Sequence, residues 1–186
     1  MTQTSDPFAA IFAQTDAHRR VHGCWAFPFG DGPALGVLAA AVAAKRILEL
    51  GTALGYTACW LAHGSSEAHI DTIERDAEHV RLARANIADA GHADRILVHH
   101  GDFGLILPTL ETGYDIAFFD GYLPTLNNLN RLRHLLRAGG LLISANLDLG
   151  GDGDAVRKNL SDSSRWLTSF MVEAGRTAVS VKLGDD

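Results

Sequence analysis

Glu49-Leu50-Gly51-Thr52-Ala53-Leu54-Gly55-Tyr56-Thr57 is the stretch on which the fold turns. It closes an apolar run over residues 46–50 and leads at once into helical spacing over residues 56–63. Glycines at a strand-to-helix turn let backbone approach a ligand closely, and the helix start offers free N–H groups. Alone, such a turn is also explained by tight packing at Gly51 and Gly55.

Outward from it the chain alternates. Further apolar runs at residues 69–73, 96–99, 116–119 and 141–145 read as strands. Helical segments lie between them, over residues 77–90, 103–110 and 125–137, the first with Val80, Ala83 and Ile87 on one face. Short continuous apolar strands between amphipathic helices imply a parallel sheet covered on both faces, with right-handed crossovers. Upstream, a helix is expected over residues 6–22, capped by Ser5 or Asp6 with Pro7 in its first turn. An aromatic segment broken by Pro28, Gly30 and Gly32 follows, then an Ala-rich helix over residues 33–44. In the tail, a Gly/Asp loop at 150–154 and a helix near 155–160 precede strands at 166–171 and 177–183. The turn Ala174-Gly175-Arg176 is too short for a crossover helix, so these two strands form an antiparallel hairpin. The expectation is one doubly wound α/β domain spanning residues 1–186. Residues 1–32 form an N-terminal, substrate-side segment and residues 33–183 a ligand-binding core.

Composition narrows the function. The 186 residues are 47% hydrophobic and 20% charged, and 16 Lys plus Arg stand against 22 Asp plus Glu, a net charge of −6. This acidic chain has scattered basic residues and no basic face for nucleic acid. No apolar run reaches the roughly 18 residues of a membrane span, and residues 1–7 lack the pattern of a signal peptide, so a cytoplasmic protein is expected. Cys24 and Cys59 match no metal or redox spacing; one of the two reads as a buried small hydrophobe and the other as an incidental thiol.

Four strand ends carry chemistry. Glu49 precedes the Gly51 turn; the second strand ends at Glu74-Arg75-Asp76, the third runs into Gly101-Asp102-Phe103, and the fourth ends in Asp120-Gly121-Tyr122. All fall on the edge where open α/β sheets bind ligands. A carboxylate after the second strand can accept both ribose hydroxyls of an adenosine ligand. The loop lacks G-x-G-x-x-G spacing, and an acid before its first glycine repels a pyrophosphate but accepts a hydrogen bond from an amino-acid ammonium. S-adenosylmethionine, a sulfonium with a methionine tail, fits that better than NAD does.

With these residues in view, 46–57 resembles the first motif of class I methyltransferases, and more narrowly the catechol/caffeoyl-CoA type of small O-methyltransferases. The likeness continues through Thr72-Ile-Glu-Arg-Asp, Asp94-Arg-Ile, Gly101-Asp102, Phe118-Phe-Asp and Leu135-Leu-Arg-Ala-Gly-Gly-Leu-Leu-Ile to Val181-Lys182-Leu183. It implies a mostly parallel seven-stranded sheet of order 3-2-1-4-5-7-6, strand 7 antiparallel, and homodimers. By this resemblance Glu49, Gly51, Thr52, Ala53 and Gly55 surround the methionine part of S-adenosylmethionine, with Tyr56 and Thr57 close by. Glu74 is implied to hold the ribose, Asp102 and Phe103 the adenine, and Asp120 to face the methyl-transfer centre while also binding cofactor; Arg75, Gly101 and Tyr122 are further cofactor-binding candidates.

The family's divalent metal is held by two acids and an Asn. Asp120 matches the first acid, but the Asp-Asn pair after the fifth strand is Ala145-Asn146 here, with Asp148 two residues beyond Asn146. A lysine common three residues after the first acid is Leu123. The expectation is therefore metal-independent methyl transfer to oxygen of a small molecule, with Asp120 catalytic. The alternative is a catalytically degenerate cofactor-binding homologue, motivated by Ala145 and Leu123. Candidates for the acceptor side are Trp25, Phe27, Phe29, Tyr122, Trp166 and the loop at 146–154; His22 and His134 illustrate the alternatives for a base.

Overall fold

The computed structural model describes residues 6–150 and 153–184. Ser5, offered above as a helix cap, lies outside them, as do Gly151 and Asp152 of the Gly/Asp loop. The elements run α1 (Ala9–His22), α2 (Gly32–Ala41), β1 (Arg46–Leu50), α3 (Tyr56–Gly64), β2 (His69–Glu74), α4 (Ala77–Asp89), β3 (Ile96–His100) and α5 (Phe103–Ile106). Then come β4 (Tyr114–Phe119), α6 (Leu126–Leu135), β5 (Leu136–Ser144), α7 (Gly153–Leu160), β6 (Trp166–Val172) and β7 (Thr177–Lys182).

Seven strands form one sheet in the order β3-β2-β1-β4-β5-β7-β6. Strands β1 to β5 pair in parallel, and β7 is antiparallel to both β5 and β6. The tail hairpin expected from its short turn is therefore present, with a 3₁₀ turn at Glu173–Gly175. Strand alternation divides the core. Ile47, Ile70, Ile116 and Phe118 face α1 to α4, whereas Leu48, Leu50, Ala117 and Phe119 face α6, α7 and Trp166. Both faces are covered, which is why the parallel strands read as continuous apolar runs.

Local signals set several boundaries. Asp6 Oδ1 accepts the Phe8 N–H at 2.8 Å just ahead of α1. Asp76 accepts the N–H groups of Glu78 and His79 at 2.9 and 3.0 Å, and Thr125 accepts that of Asn128 at 3.2 Å. Two expectations need correction. Helix α6 ends at Leu135 rather than 137, and β5 begins at Leu136, because Gly139 at φ 72° and the register shift between Tyr114 and Ile116 carry the chain through an irregular strand start. Trp166 is core and not acceptor-side: it is buried on the α6/α7 face with the Arg133 guanidinium 5.1 Å from its ring centroid. Trp166→Ala is expected to cost about 3–5 kcal/mol. Urea unfolding of the purified variant checks this, and a loss below about 1 kcal/mol would contradict the packing role.

Candidate active site

The carboxyl ends of β1, β2 and β4 are stitched together by backbone. Gly51 N–H donates to Ile73 O at 3.0 Å and Asp120 N–H to Leu50 O at 2.9 Å. Gly51 adopts φ 98°, and a Cβ there would lie 2.6 Å from Asp120 O, so any other residue would push the β1 and β4 loops apart. The packing explanation of this glycine holds: the close approach is what brings Asp120 beside the turn.

A cavity of about 480 Å³ opens along this edge. Of the expected site residues it is lined by Gly51, Ala53, Glu74, Arg75, Gly101, Asp102, Phe103, Asp120 and Tyr122. Glu74 accepts the Ala53 and Asp76 N–H groups at 3.0 and 2.9 Å and has His79 Nδ1 at 3.8 Å. Burial opposes its ionisation, but bonds from His79 and these two backbone groups outweigh it and hold the carboxyl below the usual range. Asp102 Oδ1 also caps α5 through Gly104 N–H at 2.8 Å.

Glu49 is wholly buried on the α1–α4 side of β1, below this lining. Its register partner Thr72 donates to Oε2 at 2.5 Å and shares a 2.6 Å contact with Thr52. Oε1 has no hydrogen-bond partner among the described residues. Burial pushes the carboxyl up to about 7, against the Thr57 and Thr72 hydroxyls, with the Glu74 charge adding to the rise. Asp120 is raised well above its ordinary value by burial first and then by Glu49 and Glu173. Asn146 Nδ2 donates to Asp120 Oδ1 at 3.2 Å and to Gly121 O at 2.8 Å.

Some expected residues are not brought to the cavity. Tyr56 turns its hydroxyl to Asp6 at 2.8 Å and its ring against Phe12, 5.2 Å away, so it fastens α1 to α3. Thr52 and Thr57 are buried beside a small gap behind the Gly51 turn, and Gly55, at φ 96°, packs on Ile87. On the acceptor side Trp25, Phe27 and Tyr122 are 67, 56 and 55% exposed, line the cavity, and bring Trp25 and Tyr122 to 4.7 Å. Phe29 is instead buried on Phe118, and Asp148 points to solvent without lining the cavity. Sequence reasoning missed Glu173, which approaches Asp120 from the β6–β7 turn in a left-handed conformation, φ 50°. It also missed the place of Cys24, which lines the cavity with His79, whereas Cys59 is the buried one of the two and burial pushes its thiol up to about 12.

A cavity lined by Glu74, Asp102 and Asp120 thus lies at the carboxyl edge of a 3-2-1-4-5-7-6 sheet. A family model described as a methyltransferase domain matches residues 48–146. The chain is 36% identical over 138 residues to the catechol O-methyltransferase of Mycobacterium tuberculosis, covering 68% of this chain and 62% of that protein. It thus spans about three fifths of the length of this curated relative. Among solved structures, cofactor-bound Rv0187 from MTB superposes with a TM-score of 0.84 at 26% identity, over 100% of this chain and 93% of that one. The O-methyltransferase TomG from Streptomyces achromogenes, in complex with SAM, has the same fold, with a TM-score of 0.80 at 23% identity over 94 and 90%. The chain belongs to the methyltransferase domain family.

The Glu49 environment has a sign that can be measured without any ligand. Its carboxyl moves from 4.5 to about 7 on folding, so the native state holds an extra proton between those values and stability falls as pH rises through that window. Glu49→Gln should remove this contribution, on the order of 3 kcal/mol, and be more stable than wild type at pH 8 relative to pH 5. Urea unfolding at both pH values checks it; identical slopes for the two proteins would contradict the assignment.

Proposed function

We propose that the chain binds S-adenosylmethionine along the Glu49–Gly51–Glu74 edge and methylates an oxygen of a flat small molecule, without the family's divalent metal. The observation that carries the cofactor is the unpartnered, fully buried Glu49 Oε1 behind a glycine turn, one strand away from a ribose-height carboxylate. A buried acceptor lacking a donor is costly, and a ligand ammonium relieves that cost. Glu74, already held ionised, is the acceptor for the ribose hydroxyls, and Asp102 and Phe103 flank the adenine. The bound cofactor supplies an activated methyl group. The protein's share is alignment and proton handling.

Trp25, Phe27 and Tyr122 form an aromatic wall against which a planar acceptor can lie. Asp120 stands at the same wall's edge with Oδ1 engaged by Asn146. Its Oδ2 is the atom to accept the acceptor's hydroxyl proton. Raising this carboxyl well above its ordinary value makes it a stronger base once ionised. The residues do not fit the family's cation: position 145 carries a methyl group in place of a carboxylate, and Asn146 turns its NH2 donor, which cannot ligate a hard cation, toward Asp120 and the Gly121 carbonyl. From the resemblance we also take a homodimer, and from the sequence reading a cytoplasmic location and a division into residues 1–32 on the acceptor side and 33–183 around the cofactor.

Methyl transfer from labelled S-adenosylmethionine to a panel of catechols and simple phenols, with EDTA present throughout, tests this. Turnover should survive EDTA and fall roughly 10²–10⁴-fold in Asp120→Asn, while that variant still binds S-adenosylhomocysteine. Turnover that appears only with added Mg²⁺ would overturn the metal-independent reading. Cofactor binding with no turnover on any acceptor would favour a degenerate binding protein.

A further inference from the structure

We propose that His18, Cys24 and His79 form a binding site for a zinc-type transition-metal cation at the cofactor-side end of the cavity. One ligating atom from each residue can be chosen so that all three lie within 4.8 Å of one another. A tetrahedral zinc site, with Zn–S near 2.3 Å and Zn–N near 2.0–2.1 Å, sets its ligand atoms about 3.3–3.6 Å apart. Closing the present spread therefore needs rotamer adjustments on the order of 1 Å, within reach of side chains that hold together already. One thiol and two imidazoles suit a borderline or soft cation and not Mg²⁺ or Ca²⁺.

The three donors come from separate places that the fold draws together. His18 lies in the last turns of α1, and its ring meets that of His79 at 5.1 Å. Cys24 follows Gly23, whose left-handed conformation (φ 64°) ends α1 and turns the chain back over it. His79 sits in the first turn of α4, where the Asp76 cap fixes its backbone. The His79 side chain is buried with Nδ1 toward Glu74 Oε1 at 3.8 Å, which leaves Nε2 as the ligating atom. A carboxylate behind a metal-bound imidazole is the usual outer partner that sets its tautomer and orientation. His22 stacks on His18, with centroids 4.3 Å apart and planes 30° from parallel, and so steadies that ring from the other side.

Binding follows a simple balance. The Cys24 thiol and the His79 imidazolium each lose a proton to solvent, a metal–sulfur bond forms, and each neutral imidazole contributes a lone pair. Cys24 and His79 both line the cavity, so the fourth position opens toward it and takes water or a small-molecule donor. The site uses no atom of Asp120, but it shares His79 with the Glu74 carboxylate and so borders the cofactor region proposed above. It joins α1 to α4 beside Glu74, so cation binding clamps the Trp25–Phe27 segment onto the sheet edge.

Tag-free full-length protein, stripped with EDTA and dialysed, is titrated with Zn²⁺ by calorimetry and with Co²⁺ by visible absorption. The expected result is one equivalent of each, with intense tetrahedral cobalt bands and sulfur-to-cobalt charge transfer. Cys24→Ser should abolish the charge transfer. Cys24→Ser, His18→Gln and His79→Gln should each weaken Zn²⁺ at least about tenfold, while Cys59→Ala leaves it unchanged. Circular dichroism of each variant separates a lost ligand from a lost fold, and Cys24→Ser, at a partly exposed position after α1, tests the site without a core change. Failure of the wild type to bind Zn²⁺ at 100-fold excess, or binding unaltered in both Cys24→Ser and His79→Gln, would overturn the proposal.

Discussion

The approach of the β1 turn to the β4 loop is the constraint on which the site depends. With Gly51 at φ 98° and the Asp120 carbonyl where a Cβ would stand, only glycine lets the two strand ends meet. The backbone bonds from Gly51 to Ile73 and from Asp120 to Leu50 then fix three neighbouring strand ends as one edge. Ala53 N–H completes the arrangement by binding Glu74, so the turn after β1 positions the acid after β2. The positions of Gly51, Glu74 and Asp120 are therefore set by the sheet and its backbone bonds.

Electrostatics follow from that convergence. Burial and mutual proximity raise Glu49 and Asp120, while backbone N–H groups and His79 keep Glu74 ionised. Three acids in one region therefore differ in protonation because their hydrogen-bond donors differ. Glu74 has its donors within the protein, whereas Glu49 has the Thr72 hydroxyl on Oε2, the Thr57 hydroxyl nearby, and no hydrogen-bond partner on Oε1 among the described residues. An ammonium at Oε1, as proposed for the cofactor, would bring Glu49 into line with Glu74.

Strand alternation and the short tail turn made the sheet legible, because apolar runs between glycine-bearing turns have few other solutions. The order of the strand-end acids was legible for the same reason. What periodicity could not supply was the direction of individual aromatics: Tyr56, Phe29 and Trp166 have the composition of a site and the surroundings of a core. Their placement depends on which helix lies opposite, a tertiary fact. Glu173 was hidden because a non-glycine residue at φ 50° in a hairpin carries no sequence signal. The His18–Cys24–His79 group was hidden because its third member arrives from another helix, far along the chain.

The measurement that bears most directly on the account is a crystal structure of the protein with S-adenosylhomocysteine. The account predicts the ribose hydroxyls on the Glu74 carboxylate, the ammonium within hydrogen-bond distance of Glu49 Oε1, and adenine beside Asp102 and Phe103. A ligand bound away from the Gly51 turn, or one leaving Glu49 Oε1 without a donor, would contradict it.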